Sequence, residues 1–418
     1  MPVRLSNIDA LRGVAALWVF AYHLWNVFAP GYSPQGSPSD HKPLADAPAG
    51  VLASYPLCAY GYTGVGLFFV LSGFCIHLPQ ARKHHARGTD DLAPKPFFYR
   101  RLRRLYPAFF ASLFLSLAGL IALGASLPNE PELADKKAAM LNPVVWVVYV
   151  TTNAGFLLAI QPAALGLNGV YWTLWYEVQF YLAYPLLLKL CRRVGFGGVA
   201  AVLLVIELLF TFVPTPDVLK PVAPHFEWFF LRRYFEWFLG MWLAERLAKG
   251  LHLSRGVSLT GAVLAAACGV ACSHIPDLWA GHELFLAVAS AGVVSLLASP
   301  ASEPAGGSLS AGGRGVLTWC GDWSYSLYLI HMPMLRLLNS ALYLLPDPVR
   351  EEWGGWVYAG LVIPLVPATA WVWYRLFEKP FLPKPTVEER RDESPPVLEK
   401  TPADSRPAVR QDVTPRRA

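Results

Sequence analysis

The chain has 418 residues, of which 54% are hydrophobic and 15% charged, and a mean hydropathy of +0.37. Soluble domains run closer to a quarter charged, so this balance excludes an ordinary soluble globule and points to a membrane protein. The formal charge of +6 is spread over short loops, where it bears on orientation rather than on nucleic acid, and the six scattered Cys form no zinc-type pair of pairs, so no metal is expected.

The first apolar stretch, NIDALRGVAALWVFAYHLW at 7–25, is long enough to cross a bilayer yet carries Asp9, Arg12 and His23. It is too long for a signal-peptide core and lacks a convincing cleavage site, so it reads as a retained first span. Ionisable residues in such a segment are functional hypotheses by default. The offset from Arg12 to His23 is about three turns plus 20°, which puts both on one face about 16 Å apart, where they can line one passage.

The second apolar stretch, TGVGLFFVLSGFCIHL, is interrupted by Gly64, Gly66 and Gly73. Such glycines serve close helix packing or an irregular backbone lining a cavity, and both readings stand. FFYRRLRRLYPAFF follows at 97–110. Its Arg100, Arg101, Arg103 and Arg104 are topogenic cations at the membrane face or a polyphosphate clamp, because guanidinium forks match phosphate oxygens; a spacing of three puts Arg101 and Arg104 on one helix side. In GVYWTLWYEVQFYLAYP at 169–185, Glu177 sits among Trp172, Trp175, Tyr176, Tyr181 and Tyr184, and Glu177, Tyr181 and Tyr184 recur at helical spacing. A carboxylate beside aromatic rings suits carbohydrate, and a structural ion pair with Arg12 or His23 is the plainer alternative. Further on, EWFFLRRYFEWFLGM places Arg232 and Arg233 near Glu236, with an Arg232–Glu236 pair expected at i, i+4. GDWSYSLYLIHMPML brings a second membrane histidine, His331.

Candidate spans are 7–29, 60–78, 105–125, 143–161, 170–190, 196–213, 227–247, 257–275, 283–298, 317–338 and 355–377. The cationic loop 79–104 belongs in the cytoplasm by the positive-inside rule, and Arg192, Arg193, Arg246, Lys249 and Arg255 join it there only if 143–161 is not a full crossing. The fold expected is therefore an all-α integral membrane protein of about ten transmembrane helices around a central passage, with both termini cytoplasmic and 143–161 short, re-entrant or peripheral. Residues 1–381 form the membrane domain, and 382–418, rich in Pro and charge, form a disordered cytoplasmic tail.

Taken in order, these motifs resemble the bacterial membrane acyltransferase 3 family of O-acyltransferases. The matching stretches are IDALRGVAALWVFAYH at 8–23, GVGLFFVLSGF at 64–74, RRLRRLYPA at 100–108 and WTLWYEVQFYLAYP at 172–185, then RYFEWFLGM at 233–241, SYSLYLIH at 324–331 and FEKPF at 377–381. The resemblance implies an inner-membrane, multi-pass enzyme that binds no cofactor and uses acyl-CoA, by default acetyl-CoA, as co-substrate. It implies a sugar or glycoconjugate acceptor and contact with membrane lipid. The family's arginine–histidine pattern falls on Arg12 and His23. Its cytoplasmic Arg-x-x-Arg pattern falls on Arg101 and Arg104, with Arg100 and Arg103 as the other register. Some family members carry a fused extracellular transferase domain for which this chain has no room, which favours direct transfer to a smaller or lipid-linked acceptor.

On this reading His23, Arg12 and Glu177 are catalytic: His23 as base or acyl carrier, Arg12 on the thioester or oxyanion, Glu177 orienting a hydroxyl or His23. Arg101, Arg104, Arg100 and Arg103 bind the donor, and Asp9, Trp172, Tyr181, Arg233, Glu236 and His331 support the site. The rival expectation is a multi-span transporter or flippase for an anionic or acylated solute, which lacks the visible internal repeats of many transporters. A purely structural or sensory role ranks below both, because buried charges cost stability.

Overall fold

The computed structural model describes residues 6–34, 41–89, 92–126, 134–155, 168–213, 230–298, 315–342 and 345–382. The expected tail and parts of the 143–161 and 227–247 segments lie outside these residues. Among them every regular element is helical: α1 (Ser6–Phe28), α2 (Ala49–Cys58), α3 (Gly64–Arg87), α4 (Pro94–Ser126), α5 (Ala134–Leu141), α6 (Pro143–Ala154) and α7 (Tyr171–Val194). There follow α8 (Phe196–Phe212), α9 (Tyr234–Ala248), α10 (Arg255–Ser273), α11 (His282–Ala298), α12 (Val316–Asp322), α13 (Ser324–Ala341) and α14 (Asp347–Trp373), the last running into a π-helical turn, Tyr374–Glu378. Among the described residues, five helical stretches are long and apolar enough to cross a membrane: Ala49–Arg87, Pro94–Ser126, Arg255–Ser273, Trp279–Ala298 and Asp347–Phe381.

Two segments differ from their sequence-based expectation. The stretch expected as one span at 317–338 is broken between α12 and α13, where Trp323 leaves helical geometry at φ −112°, ψ 14°. α4 begins at Pro94, so the arginine cluster lies on the helix itself rather than in the loop before it. α6 covers 12 residues between an Asn142 side-chain cap and Gly155, which at 1.5 Å per residue is about 18 Å of helix.

Glycines set the close helix approaches. A methyl on Gly73 of α3 would overlap the Trp237 carbonyl of α9, and a methyl on Gly240 of α9 would overlap the Val70 carbonyl of α3. Gly73 therefore serves packing. On α1 and α12, Gly13 and Gly321 play the same part, Gly321 lying against the Asp9 carbonyl. Gly240→Ala should lower the melting temperature of detergent-solubilised protein, because forcing the helices apart costs about 1–3 kcal/mol. An unchanged melting curve would show that this crossing is not tight.

Buried side chains fall into clusters either side of α3: Phe180, Tyr184, Tyr234, Trp237 and Phe238 join α7 and α9, while Phe109, Leu113, Trp323, Leu327 and Ile330 join α4, α12 and α13. Large apolar residues on the outward faces, such as Leu182, Leu186 and Val202, are exposed, as helices bathed in hydrocarbon require. This packing leaves two cavities along the inner face of α1.

Candidate active site

The first cavity, of about 110 Å³, collects Arg12 from α1, Arg101 and Arg104 from α4, and Glu177 and Tyr181 from α7. The spacing of three does what a helix dictates: Arg101 and Arg104 enter the cavity, while Arg100 and Arg103 of the other register are exposed and are not part of its lining. The Arg101 guanidinium lies 5.6 Å above the Phe97 ring. Arg104 Nε is buried without a hydrogen-bond partner among the described residues, so the cavity holds a donor ready for an anion. Arg12 pairs loosely with Asp9, one turn back, at 3.8 Å. Glu177 is fixed through Oε1, which accepts from the Tyr181 hydroxyl and from Ser72 Oγ at 3.4 Å, and the Trp237 indole N–H donates to that Ser72 oxygen at 3.3 Å.

The second cavity, of about 200 Å³, is built around His23 of α1, with Trp172 of α7, Arg233, Glu283 of α11 and Gly66 of α3 in its wall. His23 Nδ1 lies 3.1 Å from the Val19 carbonyl. A carbonyl can only accept, so Nδ1 carries the proton and Nε2 presents a lone pair. His331 repeats the device, with Nδ1 3.1 Å from the Leu327 carbonyl, and its ring centroid lies 5.0 Å from that of His23. Arg233 donates from Nη1 to Glu236 at 2.8 Å and from Nη2 to Glu283, and its guanidinium lies 5.7 Å from the Trp172 ring centroid.

The two cavities share a wall made by Val65 and Tyr328. Thr173 Oγ1 donates to the Val170 carbonyl at 2.9 Å, which leaves the Tyr328 hydroxyl to donate to Thr173 at 2.9 Å. Phe68 packs edge-on against the same tyrosine, with 5.6 Å between centroids. Arg12 and His23 thus stand on one face of α1, as their spacing requires, and line two adjoining cavities.

Other expected neighbours are sorted differently. Glu177 stands with Arg12 and the paired arginines, not beside His23. The reason is helix travel: Trp172 in the first turn of α7 reaches the histidine cavity, and Glu177 is about 7.5 Å further along the axis. It is Arg233, at i, i+3, that pairs with Glu236, in place of the expected Arg232. Tyr184, expected on the face of Glu177, turns instead to His77 Nδ1 at 2.9 Å.

Sequence reasoning left several groups without a role. Glu283 was hidden at the head of a span. Glu207 was visible as a lone acid in VLLVIELLF, and it is buried near Glu236. Glu378, inside FEKPF, accepts from Ser326 Oγ at 2.6 Å, and its carboxylate acts on Arg104. Glu245 ties three helices together: it accepts from His77 at 3.0 Å and His85 at 2.9 Å, both on α3, and from both terminal nitrogens of Arg192 on α7, at 2.7 and 3.2 Å. Glu245→Ala should destabilise the protein by about 3–5 kcal/mol, the usual loss when one partner of a buried ion pair is removed. Thermal unfolding in detergent checks this, and wild-type stability in the variant would remove Glu245 as a tie.

The family model for the acyltransferase domain, acyltransferase 3, matches residues 5–375. Acyltransferase MdmB of Streptomyces mycarofaciens is 28% identical over 360 residues, 80% of each chain. Nodulation protein 10 of Rhizobium leguminosarum is 30% identical over 195 residues, 45% of each chain. Peptidoglycan O-acetyltransferase OatA of Listeria monocytogenes is 25% identical over 370 residues, 81% of this chain and 50% of that longer one. No solved structure matches the chain. With nearly the whole membrane-like portion inside one family model, the protein belongs to the acyltransferase 3 family.

Proposed function

We propose that the protein is a multi-pass O-acyltransferase of the inner membrane that moves an acyl group, acetyl by default, from cytoplasmic acyl-CoA to a hydroxyl of a sugar or glycoconjugate. The observation that carries this reading is the back-to-back placement of an arginine cavity and a histidine cavity across the Val65–Tyr328 wall. Arg101 and Arg104 hold the phosphates of CoA, with Glu378 and Glu177 as the carboxylates that act on Arg104. The acyl end of the donor reaches past Tyr328 towards His23. His23 Nε2 takes the proton of the acceptor hydroxyl, the oxygen attacks the thioester carbon, the C–S bond breaks, and the CoA sulfur leaves with the proton. About 16 Å of helix separates Arg12 from His23, so Arg12 serves the donor rather than the oxyanion. Glu177, Tyr181 and Ser72 complete the donor wall, and Trp172 offers an aromatic surface beside His23. The name of the Listeria relative, a peptidoglycan O-acetyltransferase, supports a glycan hydroxyl as the acceptor class.

The test uses purified full-length protein in nanodiscs with radiolabelled acyl-CoA donors and glycan or lipid extracts, products being identified by mass spectrometry. Acyl-ester products on a sugar hydroxyl support the reading. Failure to consume any acyl-CoA, together with solute uptake into proteoliposomes in its absence, overturns it in favour of transport.

A further inference from the structure

We infer that Glu236 is a specificity-determining residue of the histidine cavity: it takes a second hydroxyl on the acceptor ring, and so selects diols over simple alcohols. This rests on the transfer reading above. Glu236 is 1% exposed, and Arg233 holds only its Oε1, at 2.8 Å. Its Oε2 is buried with no hydrogen-bond partner among the described residues. A buried carboxylate oxygen left unpaired is costly, so it marks a place built for a donor the protein does not itself supply.

Oε2 lies beside Gly66. A Cβ built on Gly66 would sit 3.6 Å from Glu236 Oε2, and Gly66 lines the cavity that holds His23. Gly66, which has no side chain, therefore lies between the carboxylate and the cavity. Packing does not demand glycine here, because 3.6 Å is ordinary van der Waals contact, unlike the overlaps at Gly73 and Gly240.

The charge balance chooses the ligand. Glu207, Glu236 and Glu283 share the fields of Arg233 and Arg232. Three carboxylates against two guanidiniums exclude an anion, and a neutral hydroxyl can donate to Oε2 without adding charge. With the His23 Nε2 lone pair on the same cavity, two acceptors then face one ligand: His23 takes the reacting hydroxyl and Glu236 a second one.

The experiment measures acetyl transfer from acetyl-CoA to cyclohexanol and to the 1,2-, 1,3- and 1,4-cyclohexanediols by the nanodisc protein, with CoA thiol release followed in the same reactions. Wild type should prefer the best diol over cyclohexanol by about tenfold to a hundredfold in kcat/KM, the effect of one charge-assisted hydrogen bond. In Gly66→Ala, whose methyl fills the space beside Oε2 without a clash, and in Glu236→Gln, that preference should fall to within about threefold of unity. Equal rates for mono-alcohol and diols in wild type, transfer to none of them, or a preference that survives either substitution overturns the inference. Thiol release that persists in those cases leaves the donor reading standing, whereas its absence in wild type overturns both.

Discussion

His23→Ala is expected to lower the turnover of acyl transfer by about 10²- to 10⁴-fold, the usual contribution of a positioned general base. The argument is geometric. Nδ1 is committed to the Val19 carbonyl, so the imidazole cannot rotate its protonated edge into the cavity without losing that bond. Nε2 is left as the basic atom, and the ring lines the second cavity. The alanine variant keeps the α1 backbone and removes only the ring, so its melting curve and elution profile should match wild type while single-turnover acyl transfer collapses. Near-wild-type turnover in this variant would sink the assignment.

Reversing Arg101 and Arg104 to Glu together should raise KM for acyl-CoA by at least about a hundredfold, since each hydrogen bond to a charged group contributes about 1.5–3 kcal/mol and the new carboxylates repel phosphate. The same reversal of Arg100 and Arg103, exposed and outside the cavity lining, should shift KM by no more than about threefold, as expected of exposed charges. The pair of double variants keeps overall charge the same and differs only in register. Equal effects would mean that diffuse attraction, not a phosphate clamp, draws the donor in. A strong dependence of wild-type KM on ionic strength would point the same way.

Much of this site is readable before any coordinates. Arg12 and His23 are ionisable residues in an apolar stretch, and their spacing alone puts them on one helix face. Arg101 and Arg104 separate from Arg100 and Arg103 by helical periodicity, although both registers look alike as text. Glycines are less legible: Gly73 and Gly66 stand seven residues apart in one stretch, yet one abuts a neighbouring backbone and the other opens towards a carboxylate. Nothing local distinguishes them, because the difference lies in what α9 presents to each.

Carboxylates were the hardest to place. Glu177 stood out among aromatic residues, and its helical partnership with Tyr181 holds, but its neighbours are Ser72 and the arginines rather than His23. Glu283 meets Arg233 across 50 positions, and Glu378 meets Ser326 across 52. Such pairs depend on which helices lie side by side and at what height, and no periodicity within either helix carries that information.

Composition and the 3.6-residue repeat act locally, so the helical, membrane-like character of the chain and the residues that share a helix face are legible in the sequence. Tertiary structure alone decided that Arg12 and His23 line two adjoining cavities, that the wall between them is Val65 and Tyr328, and that Arg233 is shared by Glu236 and Glu283. The physical reason is that a buried charge must find its partner in space, and the axial register of packed helices, not their order in the chain, determines which partner it meets.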